Sequence, residues 1–230
     1  MTTVLLHPIA LDRATWRDVP IPGALALDLP GHGDAPWDDP RDLDEVADRV
    51  VARAPEGERI DVVGVSLGGM VALHTALRHP DRVRSLVVAC APAATPVEVM
   101  RERADATERE GMAGMLASMR ERWFSPGVLE ARPAYVGEVE RRLLADDPRI
   151  VAGGWRLIAG HDVADRLAEI RIPVTVVAGS GDTSVPPAAA RALAAGLPDA
   201  AYVELEGAHM IHLEQPAAFA AAVARHLARV

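Results

Sequence analysis

The chain of 230 residues contains no lysine, and all 24 of its basic residues are arginine. That absence removes every chemistry that needs a side-chain primary amine, including a lysine Schiff base, an ordinary pyridoxal-phosphate enzyme and the phosphate-binding lysine of a Walker loop. Asparagine is absent as well, so N-glycosylation has no acceptor. The single cysteine, Cys90, cannot close a disulfide within the chain, which points to a reducing compartment and a cytoplasmic location. Positive charge is in deficit: the formal net charge of −9 argues against a phosphate-neutralising surface for nucleic acid. No apolar run approaches the roughly 20 residues that span a bilayer, and the short stretch Thr3 to His7 after Met1 does not read as a targeting segment. Aromatic residues are few, with four tryptophans, two tyrosines and two phenylalanines.

What is present is a chain half hydrophobic and one quarter charged, of a length that suits one globular domain with an insertion. Apolar runs of strand length recur at Thr3 to His7, Ala24 to Asp28, Ile60 to Val65, Val83 to Cys90, Pro173 to Ala178 and Ala201 to Leu205. They are rich in Val, Leu and Ile with little polar alternation, the signature of strands covered on both faces. Amphipathic stretches lie between them, at Leu43 to Ala54, Leu67 to Arg78 and Pro187 to Ala195, and the chain closes on Ala217 to Arg229. This order predicts an α/β domain with a mostly parallel, doubly wound sheet.

From about Thr95 to Leu167 the alternation stops. Segments such as Pro96 to Met119 and Tyr135 to Ala145 are charged and helical in period, punctuated by Ser125-Pro126-Gly127 and Gly153-Gly154. Residues 95–167 therefore read as a helical cap inserted into a core made of residues 1–94 and 168–230. Half of the aromatics, Trp123, Phe124, Tyr135 and Trp155, fall inside it. Two readings of them stand side by side: Trp123, Phe124 and Trp155 line a substrate pocket, or they anchor the insertion onto the sheet.

The chemistry begins at Gly64-Val65-Ser66-Leu67-Gly68, a G-x-S-x-G element between a strand and a helix. A serine on so tight a turn is held in a strained backbone conformation, and side chains at Gly64 and Gly68 would collide with neighbouring backbone. Leu67 opens the helix, so its N–H and the helix dipole face the serine hydroxyl. A hydroxyl needs a base and an orienting carboxylate to become a nucleophile. Asp182 stands on a turn after the strand ending at Ala178, and His209 follows the last strand. The order Ser, Asp, His is that of the α/β-hydrolases rather than of the chymotrypsin or subtilisin types.

With these residues in view the chain resembles an α/β-hydrolase fold enzyme along its length. Asp28-Leu29-Pro30-Gly31-His32-Gly33-Asp34 is similar to the family's D-x-x-G-x-G-x-S loop, with Asp34 where serine is usual. Arg122 to Pro126, the Asp182 turn and His209 to Pro216 resemble the 3-oxoadipate enol-lactonase branch in particular. The resemblance implies a cofactor-free serine hydrolase of a small-molecule ester or lactone, with Ser66, Asp182 and His209 as its triad. It also implies a second oxyanion donor in the loop His7-Pro8-Ile9-Ala10-Leu11. Proline has no N–H, so Ile9 is expected to donate together with Leu67. The family's antiparallel strands before that loop are missing, so one edge of the sheet is expected to be trimmed.

Other residues take blander readings. Cys90 reads as a buried structural thiol and His32 as structural, and Glu206 is the minor competitor of Asp182. His209 and His212 lack the further ligands of a metal site. Three rivals remain open at this point: carbon–carbon bond hydrolysis or cofactor-free peroxidation on the same triad, a natural-product cyclase or thioesterase, and a non-catalytic ligand-binding protein on the same fold. No nucleic-acid or membrane partner is expected, and the oligomeric state is left open.

Overall fold

The computed structural model describes residues 1–230. Six strands form one sheet in the order β2-β1-β3-β4-β5-β6, and every pairing is parallel. The strands are β1 (Thr2–Leu6), β2 (Leu25–Leu27), β3 (Ile60–Val65), β4 (Val83–Ala89), β5 (Val174–Gly179) and β6 (Ala200–Leu205). The helices are α1 (Leu43–Arg53), α2 (Leu67–Arg78), α3 (Val97–Trp123), α4 (Pro126–Ala131), α5 (Ala134–Leu144), α6 (Pro148–Ala159), α7 (Pro187–Gly196), α8 (Ile211–Glu214) and α9 (Pro216–Leu227).

Alternation of side chains along the strands divides the core in two. Val62 of β3, Leu86 and Val88 of β4 and Val176 of β5 join the larger cluster, which also holds buried residues of α1, α2 and α7. Val63, Val65, Val87 and Val177 point to the other face, against Phe219 and Val223 of α9 and Trp16 of a 3-10 turn, Arg13–Trp16. Helices on both faces explain why the strands read as continuous apolar runs.

The chain runs from β1 outward to β2 and then returns past β1 to β3. The carboxyl ends of β1 and β3 therefore flank the point where winding reverses, the crevice where open α/β sheets place their ligands. The edge strand on that side is β2, and no antiparallel strand lies beyond it.

Between β4 and β5 the chain is helical, α3 to α6, and its two ends meet in a single antiparallel bridge, Ala94 with Asp162. Two boundaries differ from the sequence reading. The helix expected at Pro96 to Met119 extends to Trp123 and breaks at Gly111, whose φ of 68° and ψ of 175° leave the helical region. Gly153-Gly154, read as punctuation, instead lies inside α6. The reason is close approach: a Cβ at Gly153 would come 2.4 Å from the Trp37 ring, and one at Gly154 would come 3.0 Å from Ile9 Cδ1. These glycines let α6 settle onto the sheet loops.

Candidate active site

The turn after β3 carries Ser66 at φ 54° and ψ −117°, a conformation that costs a non-glycine residue about 1–3 kcal/mol. The flanking glycines are sterically required, because a Cβ at Gly64 would sit 2.1 Å from the Gly68 carbonyl oxygen, and one at Gly68 2.2 Å from that of Leu6. The Ser66 N–H is used to hold the turn, donating to the Ala89 carbonyl at 2.9 Å. Its hydroxyl lies 2.9 Å from Nε2 of His209.

His209 stands after β6, and its Nδ1–H donates to Asp182 Oδ2 at 2.8 Å. The other oxygen of Asp182 accepts the backbone N–H groups of Ser184 and Val185, at 2.8 and 2.9 Å, so the carboxylate has little freedom to turn. All three side chains are buried. Glu206 is exposed and makes no bond to His209, so the carboxylate beside the imidazole is that of Asp182.

Ile9 and Leu67 are also buried here. Ile9 donates no backbone hydrogen bond within the chain, and Leu67 is the first residue of α2, whose N–H has no partner inside the helix. Both donors remain free at the switch point of the sheet.

Sequence reasoning missed what holds the Ile9 loop. The Leu29 N–H donates to His7 Nε2 and the Ala10 N–H to His32 Nε2, both at 2.9 Å. Each ring then uses its Nδ1–H toward a carbonyl, His7 to Pro8 at 2.7 Å and His32 to Pro30 at 2.8 Å. Two neutral imidazoles thus brace the loop after β1 against the turn after β2. Burial favours that state, pushing His7 well below the usual imidazole value and His32 down to about 4. Ala10, held by His32, has φ 57°, so this brace sustains a left-handed residue beside Ile9. The readable signal is that β1 and β2 are neighbours and each is followed by a histidine. Asp28 folds the same turn by accepting the N–H groups of Arg13 (2.8 Å) and Asp34 (3.0 Å) and the Arg13 guanidinium.

Trp123, Phe124 and Trp155 are all buried in the larger core, between the helical insertion and the sheet. The insertion is bolted to the histidine loop at two points. The Met210 N–H donates to the Trp123 carbonyl at 3.0 Å, and Glu214 accepts the N–H groups of Ser125 and Ala208 at 2.7 and 3.1 Å. His212 is buried with Nε2 on the Thr15 hydroxyl at 2.9 Å, and burial lowers it to about 3.

Cys90, Asp182 and His209 bring three potential metal-ligand atoms within 4.8 Å of one another. Two of these groups already bond each other, and burial, with the Asp182 charge second, pushes the Cys90 thiol well above its usual value. A protonated thiol is neither a good ligand nor a nucleophile. An open cleft of about 510 Å3 lies aside from the triad, between Leu11 to Asp18 and α5. No helix is long and apolar enough to cross a membrane.

A model of the alpha/beta hydrolase family matches residues 3–222. The chain belongs to that family. This hydrolase is 34% identical, over 90% of its length and 82% of the relative's, to a pimeloyl-[acyl-carrier protein] methyl ester esterase of Neisseria meningitidis serogroup C. It is 27% identical to 3-oxoadipate enol-lactonase 2 of Acinetobacter baylyi, over 86% of the chain and 76% of the relative. Among solved structures, the enol-lactonase of Burkholderia xenovorans LB400 superposes with a TM-score of 0.93 at 24% identity, covering 99% of this chain and 91% of that one. The enol-lactonase resemblance read from the motifs and the α/β-hydrolase fold are both borne out.

Proposed function

We infer that this hydrolase cleaves a carboxylic ester or lactone of a small molecule through an acyl-enzyme on Ser66. The observation that carries the reading is the continuous hydrogen-bonded row from Asp182 through His209 to Ser66. With its Nδ1–H given to Asp182, the imidazole of His209 has Nε2 left to accept the Ser66 O–H. His209 takes that proton as Oγ attacks the carbonyl, and Asp182 stabilises the imidazolium that forms. The N–H groups of Ile9 and Leu67 receive the oxyanion, and each such donor is worth about 10²–10³ in rate. His209 returns the proton to the leaving alkoxide and then activates water against the acyl-enzyme. In a lactone the alkoxide stays tethered to the acyl group, and the same steps open the ring.

The relatives support an oxygen ester as the bond class, since one set is named for a methyl ester and the other for an enol-lactone. The helical insertion, residues 95–167, acts as a lid over the Ser66 site, with Trp123, Phe124 and Trp155 shaping the acyl pocket through the positions they fix. A panel of short p-nitrophenyl esters, enol-lactones and thioesters tests the reading on wild type and Ser66→Ala. The expected result is turnover of oxygen esters or lactones that disappears in Ser66→Ala, with an initial burst near one equivalent of nitrophenolate. Turnover of none of them would leave a non-hydrolytic role for the fold.

A further inference from the structure

Helix α2, which starts just after Ser66, is apolar along most of its length, and His74 is its one titratable side chain before the closing Arg78. His74 stands between two partners. Its Nδ1 lies 2.6 Å from a carboxylate oxygen of Asp44 in α1, and its Nε2 lies 3.1 Å from Nδ1 of His161, two residues past α6. His161 Nε2 in turn lies 3.0 Å from the Pro92 carbonyl oxygen. His161 is buried, and the His74 side chain keeps 12% of its exposure.

An ionised carboxylate and a backbone carbonyl only accept, so each outer nitrogen must carry its ring's N–H. Two neutral rings have no further proton to give. The inner nitrogens, His74 Nε2 and His161 Nδ1, then turn two lone pairs toward one another at 3.1 Å. A complete row needs a cation in that place, either a third proton or a metal ion. Two features suit the metal. Nitrogens that each lie about 2.0–2.1 Å from one zinc-class ion stand roughly 2.8–3.4 Å apart for angles between octahedral and tetrahedral, which brackets the spacing of this pair. Metal-binding histidines also give their other ring N–H to a carboxylate or a backbone carbonyl, which fixes the tautomer and aims the lone pair. This pair has one of each.

We propose that His74 Nε2 and His161 Nδ1 form a two-histidine site for a zinc-class divalent cation, with Asp44 and the Pro92 carbonyl orienting the rings and water completing the coordination. Imidazole ligands suit that class of metal rather than magnesium or calcium, which take oxygen. The site joins two parts of the fold. His161 belongs to the junction where the insertion returns to the core: its carbonyl accepts the Thr95 N–H at 3.0 Å, and the next residue, Asp162, bridges Ala94. His74 belongs to the helix of the nucleophile, about 12 Å along it from Ser66. A cation held by both rings staples the insertion to that helix and takes no part in the chemistry at Ser66.

The test titrates zinc chloride into chelator-treated protein free of any affinity tag and reads the heat of binding. Wild type, His74→Gln, His161→Gln, Asp44→Asn and His209→Ala are compared, each checked for fold by circular dichroism. Wild type and His209→Ala are expected to bind one equivalent of zinc, and each glutamine variant to lose it. Asp44→Asn keeps both ligands, and its affinity is expected to fall by ~10–100-fold, the usual worth of the group that orients a ligating histidine. Zinc is also expected to raise the thermal midpoint of wild type, reversibly with chelator, and to leave that of His161→Gln unmoved. A wild type that binds no zinc at millimolar concentration overturns the proposal, and a third proton then fills the gap between the rings. An equivalent that persists in both glutamine variants overturns it as well. Its loss in His209→Ala would then place the metal on the triad, and its survival there would place it on another histidine such as His79, which faces Asp48.

Discussion

Of the three histidine–aspartate pairs in this molecule two join through Nδ1, and only one of those two has the makings of a catalytic base. His209 donates to Asp182 at 2.8 Å, and His74 of α2 bonds Asp44 of α1 at 2.6 Å. The difference lies at the far nitrogen. In the first pair it meets the Ser66 hydroxyl, a group that is both donor and acceptor. In the second it meets Nδ1 of His161 at 3.1 Å, and His161 Nε2 faces the Pro92 carbonyl at 3.0 Å. Counting protons separates them. The triad row has two hydrogen bonds from imidazole to its neighbours, and a neutral imidazole with a hydroxyl supplies both protons. The second row has acceptors at each end, so its three bonds need three protons on four ring nitrogens, one more than two neutral rings carry. A complete row there has no lone pair left to act as a base. A histidine–aspartate pair is thus only a part, and what its second nitrogen faces decides what it does. The second row ends where the insertion joins the core, beside the Ala94–Asp162 bridge, and its role is to pin that junction.

Substitutions sharpen the contrast. The largest effect is expected for Ser66→Ala, a loss of roughly 10⁶ in kcat, since removing one member of such a unit costs about as much as removing all of it. Asp182→Asn is expected to lower kcat by about 10⁴ through the wrong tautomer of His209, with the fold intact by circular dichroism. The matched change in the other pair, Asp44→Asn, is expected to alter kcat/KM by no more than about threefold, the range of a partly exposed substitution. Comparable losses at Asp44 and Asp182 would erase the distinction between the pairs.

A smaller effect is expected from the brace of the oxyanion loop. His32→Ala frees the Ala10 N–H and the left-handed turn beside Ile9, and kcat is expected to fall by about 10–10², less than complete loss of a donor. Because the donor acts on charge that develops only during reaction, KM for a p-nitrophenyl ester is expected to change little. A rise in KM at constant kcat would instead make His32 part of substrate binding.

The parts legible in the sequence are those whose cause is local. The Ser66 turn announces itself because two glycines are sterically forced within five residues, and the strands because burial on both faces removes polar alternation. The triad partners could be placed because each follows a strand in a fixed order. What escaped depends on contacts between distant segments. Gly153-Gly154 read as a break because a glycine admitted for close packing on Trp37 and Ile9 looks the same in sequence as one that ends a helix. The brace of His7 and His32 needs two loops to be neighbours.

The smallest expected effect is on stability rather than rate, and it probes the second pair directly. Burial lowers His161 from the usual imidazole value of 6.5 to about 4, so between these values the unfolded chain binds a proton that the folded chain refuses. Stability from this group is therefore fully present above pH 6.5 and is lost as the pH falls toward 4. His161→Gln keeps a donor for the Pro92 carbonyl but cannot titrate. Urea unfolding at pH 7, 6 and 5 is expected to give a shallower loss of stability for the variant than for wild type, by at most about 1.4 kcal/mol per pH unit. Four other buried histidines, His7, His32, His212 and His226, are lowered in the same way and keep most of the acid dependence in both proteins. Identical slopes for wild type and variant would mean that folded His161 accepts the extra proton as readily as the unfolded chain does.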